Sequence, residues 1–188
     1  SPAGDMFVFE RDDGADTDLF LQRIGGQNPT NLTADCDQDD LSPVFSPDGK
    51  AIAYRSYCAG GGIFIMGATG ESPRRVADFG QDPAFSPDGR EFVVSTESGR
   101  FPFGRGDFSE LWAVRLETGE RRLITRHDAV KPNWSPSGRR IAFWGLRAGS
   151  FQRDLWSVAA DGSTPAAESA RGLTDDPHVD WAPVYSPD

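Results

Sequence analysis

Pro43-Val44-Phe45-Ser46-Pro47-Asp48-Gly49-Lys50-Ala51-Ile52-Ala53-Tyr54 reads as a short strand, a tight turn and a second short strand. The first strand ends on an aromatic residue. Pro47 presets φ for the second turn position, Asp48 tolerates the third, and Gly49 accepts a positive φ at the fourth. The result is a closed hairpin. The turn tetrapeptide Ser-Pro-x-Gly recurs at Ser1-Pro2-Ala3-Gly4, Ser86-Pro87-Asp88-Gly89 and Ser135-Pro136-Ser137-Gly138, with Ser186-Pro187-Asp188 at the C-terminus. The copies start at 1, 46, 86, 135 and 186, so they lie 45, 40, 49 and 51 residues apart. A period of about 40 to 50 residues that contains strand-like segments is the mark of propeller blades.

Alignment on the turns sorts the rest of the chain into columns. Before the turn stand Pro43-Val44-Phe45, Pro83-Ala84-Phe85, Pro132-Asn133-Trp134 and Pro183-Val184-Tyr185. After it stand Phe7-Val8-Phe9, Ile52-Ala53-Tyr54, Phe92-Val93-Val94 and Ile141-Ala142-Phe143. A third strand is expected at Leu19-Phe20-Leu21, Ile63-Phe64-Ile65, Leu111-Trp112-Ala113 and Leu155-Trp156-Ser157, and a fourth at Asn31-Leu32-Thr33, Arg75-Val76-Ala77, Leu123-Ile124-Thr125 and Gly172-Leu173-Thr174. The fold class is therefore all-β, a β-propeller of four-stranded antiparallel blades. The aromatic columns are expected to be core between blades.

The core pattern Pro-x-aromatic-Ser-Pro-Asp-Gly-x-x-Ile-Ala-aromatic resembles the TolB-like propeller repeat, a WD-repeat relative. Residues 43–54 match it almost throughout, and the resemblance covers essentially the whole chain. Ala3 and Ser137 replace the turn Asp, and Val94 replaces the last aromatic. Residues 1–188 are read as one domain of four blades' worth of sequence. The N-terminal repeat lacks an inner strand and residues 181–185 supply a lone one, so ring closure by the N- and C-terminal strands is expected. TolB-like propellers more often have about six blades. A piece of a longer propeller, or two chains sharing one ring as a dimer, therefore stand beside the closed four-bladed monomer.

Composition narrows the function classes. The 188 residues carry 29 acidic against 19 basic groups, a net charge of −10, and nucleic-acid binding is excluded because phosphate contacts need a basic surface. The 21 Gly and 14 Pro fit short strands and tight turns rather than helices. No stretch approaches the length of a membrane span, so no direct membrane insertion is expected. No signal peptide is present either, though one can have been removed.

In a propeller the connections between strands two and three share a face with those that lead into the next blade. The long, variable connections all fall there, at residues 10–18, 57–62, 97–110 and 145–154, which makes this the expected working surface. It is acidic: Asp12, Asp13, Asp16 and Asp18 share one loop, and Asp35, Asp37, Asp39 and Asp40 the next. Asp175, Asp176 and Asp180 precede the last strand, and Asp128 holds the corresponding loop before it. Such clusters are either a solvated rim or hard-oxygen sites suited to calcium. Asp40 and Asp180 stand three residues before the proline that opens a blade, so they are expected to face the axial opening and to be the metal ligands if calcium binds. Cys36 and Cys58 fall on the same face, where a disulfide is plausible and fits an oxidising compartment.

Phe103 and Arg105 lie in the aromatic loop 101–108, and Arg147 and Arg153 on a neighbouring loop. With Asp40 and Asp180 they are the candidate ligand-binding residues. The arginines would capture an anionic group or pair with the acidic loops. No catalytic constellation stands out. His127 and His178 are 51 residues apart, and neither a Gly-x-Ser-x-Gly elbow nor a Cys–His motif occurs. His127 is expected on the loop surface and His178 beside Trp181, with most tryptophans in the core and Trp144 least certainly so. The resemblance implies a periplasmic or extracellular binding, scaffold or sensor module for a protein or peptide partner. The alternatives are a regulatory or gating domain of a larger enzyme, such as a membrane-anchored kinase or prolyl-peptidase-like hydrolase, and a carbohydrate-binding propeller.

Overall fold

The Ser-Pro-x-Gly hairpins form as the sequence dictates. In a computed structural model, which describes residues 1–99, 108–147, 152–163 and 170–186, the amides of Gly4, Gly49, Gly89 and Gly138 bond to the carbonyls of Ser1, Ser46, Ser86 and Ser135 at 2.9 to 3.0 Å. All four glycines have φ near +70°. Ser46 Oγ donates to Asp48 at 2.7 Å, and the amide of Ala51 donates back to Ser46 Oγ at 2.9 Å. The Ser46 and Ser86 hydroxyls first, and the Lys50 and Arg90 amides second, hold the Asp48 and Asp88 carboxyls below the ordinary range.

Fifteen strands are described, and no described helix is long and apolar enough to cross a membrane. Blade 1 holds β1 (Met6–Asp12), β2 (Thr17–Arg23) and β3 (Thr30–Asn31). Blade 2 holds β4 (Asp40–Phe45), β5 (Ala51–Ser56), β6 (Gly62–Gly67) and β7 (Arg74–Ala77). Blade 3 holds β8 (Gln81–Phe85), β9 (Glu91–Ser95), β10 (Leu111–Arg115) and β11 (Arg121–Thr125). Blade 4 holds β12 (Val130–Trp134), β13 (Arg140–Leu146), β14 (Arg153–Ala159) and β15 (Arg171–Gly172). Each is an antiparallel meander in sequence order.

The core lies between blades. Leu19 of blade 1 packs with Ile52, Tyr54 and Met66 of blade 2. Ala53, Ile63 and Ile65 meet Phe85, Phe92, Val94 and Val114 of blade 3. Val93, Leu111 and Ile124 meet Trp134, Ile141, Phe143 and Val158 of blade 4. One face of each sheet thus covers the opposite face of the next, and burial of these side chains is worth about 1.5–3 kcal/mol each. Trp144 is among the most deeply buried side chains, whereas Trp181 is 56% exposed.

Among the described residues the ladder expected between β1 and the C-terminal strand is not made. The sheet of blade 1 ends at β1, and residues 181–185 carry no ladder. That segment lies beside β12 instead, where the Tyr185 amide donates to Asn133 Oδ1 at 2.9 Å.

Candidate functional site

Each inner strand carries a feature that the column pattern does not reveal by itself. Ser42, Asp82, Lys131 and Ala182 have φ of 53°, 48°, 51° and 52°, and each precedes a proline. In the three paired blades the ladder register shifts at this point, between Leu41 and Val44, Gln81 and Ala84, and Val130 and Asn133. A bulge absorbs one extra residue and turns the strand. The extra residue rotates the set that faces the axis, so the opening of about 210 Å³ is lined by Ser42, Asp82 and Lys131 with Pro43, Pro83, Pro132 and Pro183. Asp40 and Asp180 do not line it. Proline recurring inside an inner strand was the available signal, because a mid-strand proline is confined to edges and bulges.

The axial residues are bonded to one another. Ser42 Oγ donates to Asp82 Oδ1 at 2.8 Å, and Lys131 Nζ pairs with the same oxygen at 3.0 Å. The Gly99 amide donates to Asp82 Oδ2 at 2.9 Å, and the Ser42 amide to Glu10 Oε1 at 2.7 Å.

The described parts of the long connections gather on one face, as the column order requires. Several of their carboxylates are structural. Asp39 Oδ1 accepts the Thr17 amide of the preceding blade at 2.8 Å. Asp128, at the matching position two blades on, accepts the amides of Ser109 and Leu146 at 3.0 and 2.9 Å. These aspartates latch blade 2 to blade 1 and blade 4 to blade 3. Asp18 accepts from Asn31 at 2.6 Å and from the Thr33 hydroxyl at 3.0 Å.

What remains is concentrated at the boundary of blades 1 and 2. Ala15, Asp16, Asp37, Gln38, Asp39 and Tyr57 line an open cleft of about 310 Å³. Burial first, and then Asp18, Asp13, Asp37 and Asp39, raise the Asp16 carboxyl above its ordinary value. Below the cleft Asp40 is 1% exposed, and its Oδ1 has no hydrogen-bond partner among the described residues. Burial raises its pKa to about 6, with Asp18 and Asp16 adding to the rise, while the Ser56 and Thr33 hydroxyls oppose it. The Cys36–Cys58 disulfide, Cα atoms 6.2 Å apart, ties the two walls of this region together.

The other candidates are dispersed. Asp180 sits against blade 4, its amide bonded to the Arg153 carbonyl at 3.1 Å. Arg147 pairs with buried Asp154 at 2.8 Å and with Asp175 at 2.6 Å, so it is held by the acidic loops. Phe103 and Arg105 lie outside the described residues. Among the described residues no group of three or more His, Cys, Asp or Glu is arranged to hold a metal ion. His127 is not on the loop surface. It is buried, its ring 4.2 Å from Trp156 and 5.7 Å from Phe143, because the latch at Asp128 draws the loop inward. His178 is exposed and pairs with Asp176 at 3.0 Å.

Four-stranded meander blades, packed face to face around an axial opening, define a β-propeller. With the repeated turn and its bonded Ser and Asp, the chain belongs to the TolB-like β-propeller family. No protein-family model matches it. It is 40% identical over 105 residues to the Tol-Pal system protein TolB of Anaeromyxobacter dehalogenans, a match that covers 55% of this chain and 21% of that protein. An uncharacterized protein of Agrobacterium fabrum is 31% identical over 150 residues, 76% of this chain and 46% of that one. The solved structure of a putative TolB from Agrobacterium tumefaciens superposes with a TM-score of 0.76 at 24% identity, over all of this chain and 64% of that one. The chain thus spans under half the length of these curated relatives.

Proposed function

We propose that the chain is a non-catalytic binding module that works outside the cytoplasm and recognises a basic segment of a protein partner through its loop face. The observation that carries this reading is the cleft at the boundary of blades 1 and 2. Three aspartates crowd it, the ring of Tyr57 is exposed at its edge, and a disulfide braces its walls. Crowded carboxylates repel one another, and a lysine or arginine side chain relieves that repulsion while its stem packs on an aromatic ring. The disulfide suits an oxidising compartment. Relatives named for the Tol-Pal system point to a protein partner rather than a small substrate.

The test is the anisotropy of a labelled lysine- and arginine-rich decapeptide titrated with the protein. Binding is expected to weaken steeply with added salt, and to weaken about tenfold in Asp16→Asn/Asp37→Asn, through loss of two charge contacts. Asp48→Asn/Asp88→Asn, on the opposite face, is the control. Equal loss in both double variants would reduce the effect to net charge and remove the cleft from the account.

A further inference from the structure

We infer that Arg55 takes a carboxylate of the bound segment, so that the partner carries an acidic residue beside the basic one that enters the cleft, a step that rests on the basic-segment reading of that cleft. Arg55 stands near the loop-face end of β5 in blade 2. That blade packs on blade 1 through Leu19 and on blade 3 through Phe85 and Phe92, so it has a described neighbour on either side.

Arg55 is a cation without an anion. Its Nε is buried and has no hydrogen-bond partner among the described residues. Its terminal nitrogens make no described hydrogen bond either, and they are not closed off from solvent. The guanidinium instead lies over the Tyr57 ring, 4.4 Å from its centroid. Gly61 closes on it so tightly that a Cβ there would stand 3.2 Å from Nη2. Other cations of the molecule have found carboxylates: Arg126 has Glu110 at 3.2 Å, Lys131 has Asp82 at 3.0 Å, and Arg147 has Asp154 at 2.8 Å. Arg75 brings a second guanidinium to the same glycine, and its Nη1 donates to the carbonyls of Ala59 and Gly61 at 3.3 and 3.4 Å. Asp78, close to Arg75 in the chain, is bonded to Arg121 instead. Two positive charges therefore border Gly61 with no ion pair among the described residues, in a chain of net charge −10. A guanidinium whose terminal N–H groups are free presents the fork that binds a carboxylate through two parallel hydrogen bonds.

Tyr57 also lines the cleft with Asp16, Asp37 and Asp39. Crowded carboxylates and an unpartnered guanidinium thus border one residue without pairing with each other. A segment that carries a basic and an acidic residue in the complementary order neutralises both, and such complementarity fixes register as well as attraction. Stacking already holds the Arg55 side chain, so it loses little freedom when a carboxylate arrives.

Anisotropy with two labelled peptides tests this: the lysine- and arginine-rich decapeptide flanked at both ends by Glu-Glu, and the same decapeptide flanked by Gln-Gln. The net charge of −10 by itself disfavours the glutamates. The parent is nevertheless expected to bind the Glu-flanked peptide about fivefold more tightly. In Arg55→Gln that order should reverse, while the Gln-flanked peptide binds as it does to the parent. Arg55→Lys should keep part of the preference. Arg126→Gln, which removes a loop-face arginine already paired with Glu110, should keep all of it. Weaker binding of the Glu-flanked peptide to the parent, a preference that survives Arg55→Gln, or one lost equally in Arg126→Gln would each overturn the inference. A preference that Arg55→Gln abolishes, with affinities that Asp16→Asn/Asp37→Asn leaves untouched, would keep the carboxylate site and remove the cleft. Failure of both peptides to bind would remove both.

Discussion

Asp40→Asn is expected to stabilise the protein at neutral pH, and the gain should disappear in acid. The Asp40 carboxyl is buried, shares the Thr33 hydroxyl with Asp18, and faces two further carboxylates instead of a cation. Its pKa rises from 3.8 to about 6, burial being the largest cause. The folded state therefore binds this proton more tightly than the unfolded chain does. The resulting stability is fully present below pH 3.8 and is lost as pH rises through about 6. The rise from 3.8 to about 6 corresponds to about 3 kcal/mol at pH 7.5 as a ceiling, and to roughly half that once water at the loop face screens the charge. For a chain of this length about 1.5–3 kcal/mol moves the melting midpoint by roughly 3–12 °C. Thermal melts of the parent and Asp40→Asn at pH 7.5 and pH 4 make the comparison. A variant that melts lower at pH 7.5, or a gain that persists unchanged at pH 4, would refute the reasoning.

Other outcomes follow from the same geometry. Thiol titration of the denatured, unreduced protein should find no free thiol, and reduction should cost about 3 kcal/mol in chemical denaturation, from opening a loop of 22 residues. Asp128→Ala removes the acceptor of two buried amides and should cost about 2–4 kcal/mol, whereas Asp37→Ala, on the exposed rim, should stay within about 0.5 kcal/mol. Gly145→Ala should fold poorly, because a Cβ there runs into the Asp128 carbonyl; a soluble variant with parental melting would contradict the close approach. Melts in calcium and in chelator at matched ionic strength should coincide, since Asp40 and Asp180 lie at different blade boundaries and no group of three or more His, Cys, Asp or Glu among the described residues is arranged to hold a metal ion.

The blades were legible in the sequence because two local rules coincide in them. A turn that demands Gly at positive φ punctuates the chain at blade intervals, and the alternation of apolar residues between turns places both sheet faces. The inner-strand kinks were less legible, although Pro43, Pro83, Pro132 and Pro183 mark them, because a bulge appears only when partner strands are compared. The set that lines the axis differs from the expected one for that reason. Counting three residues back from the proline places Asp40 and Asp180 at the axis in a regular strand, and the bulge instead presents Ser42, Asp82 and Lys131 there. The acidic loops read as one charged face, but Asp39 and Asp128 are latches, a role that depends on amides contributed by a neighbouring blade. His127 misled in the same way, since a loop residue is buried once its neighbour is tied down.

The most direct test of the binding account is an amide and side-chain chemical-shift map of the labelled protein, titrated with the basic decapeptide at low salt. Both faces carry accessible carboxylates, half-buried Asp16 and exposed Asp37 on the loop side and exposed Asp48 and Asp88 at the turns, so attraction alone does not choose between them. The account predicts shifts concentrated at Asp16, Asp37, Gln38 and Tyr57. Shifts spread equally over Asp48 and Asp88, or confined to the turn face, would contradict it.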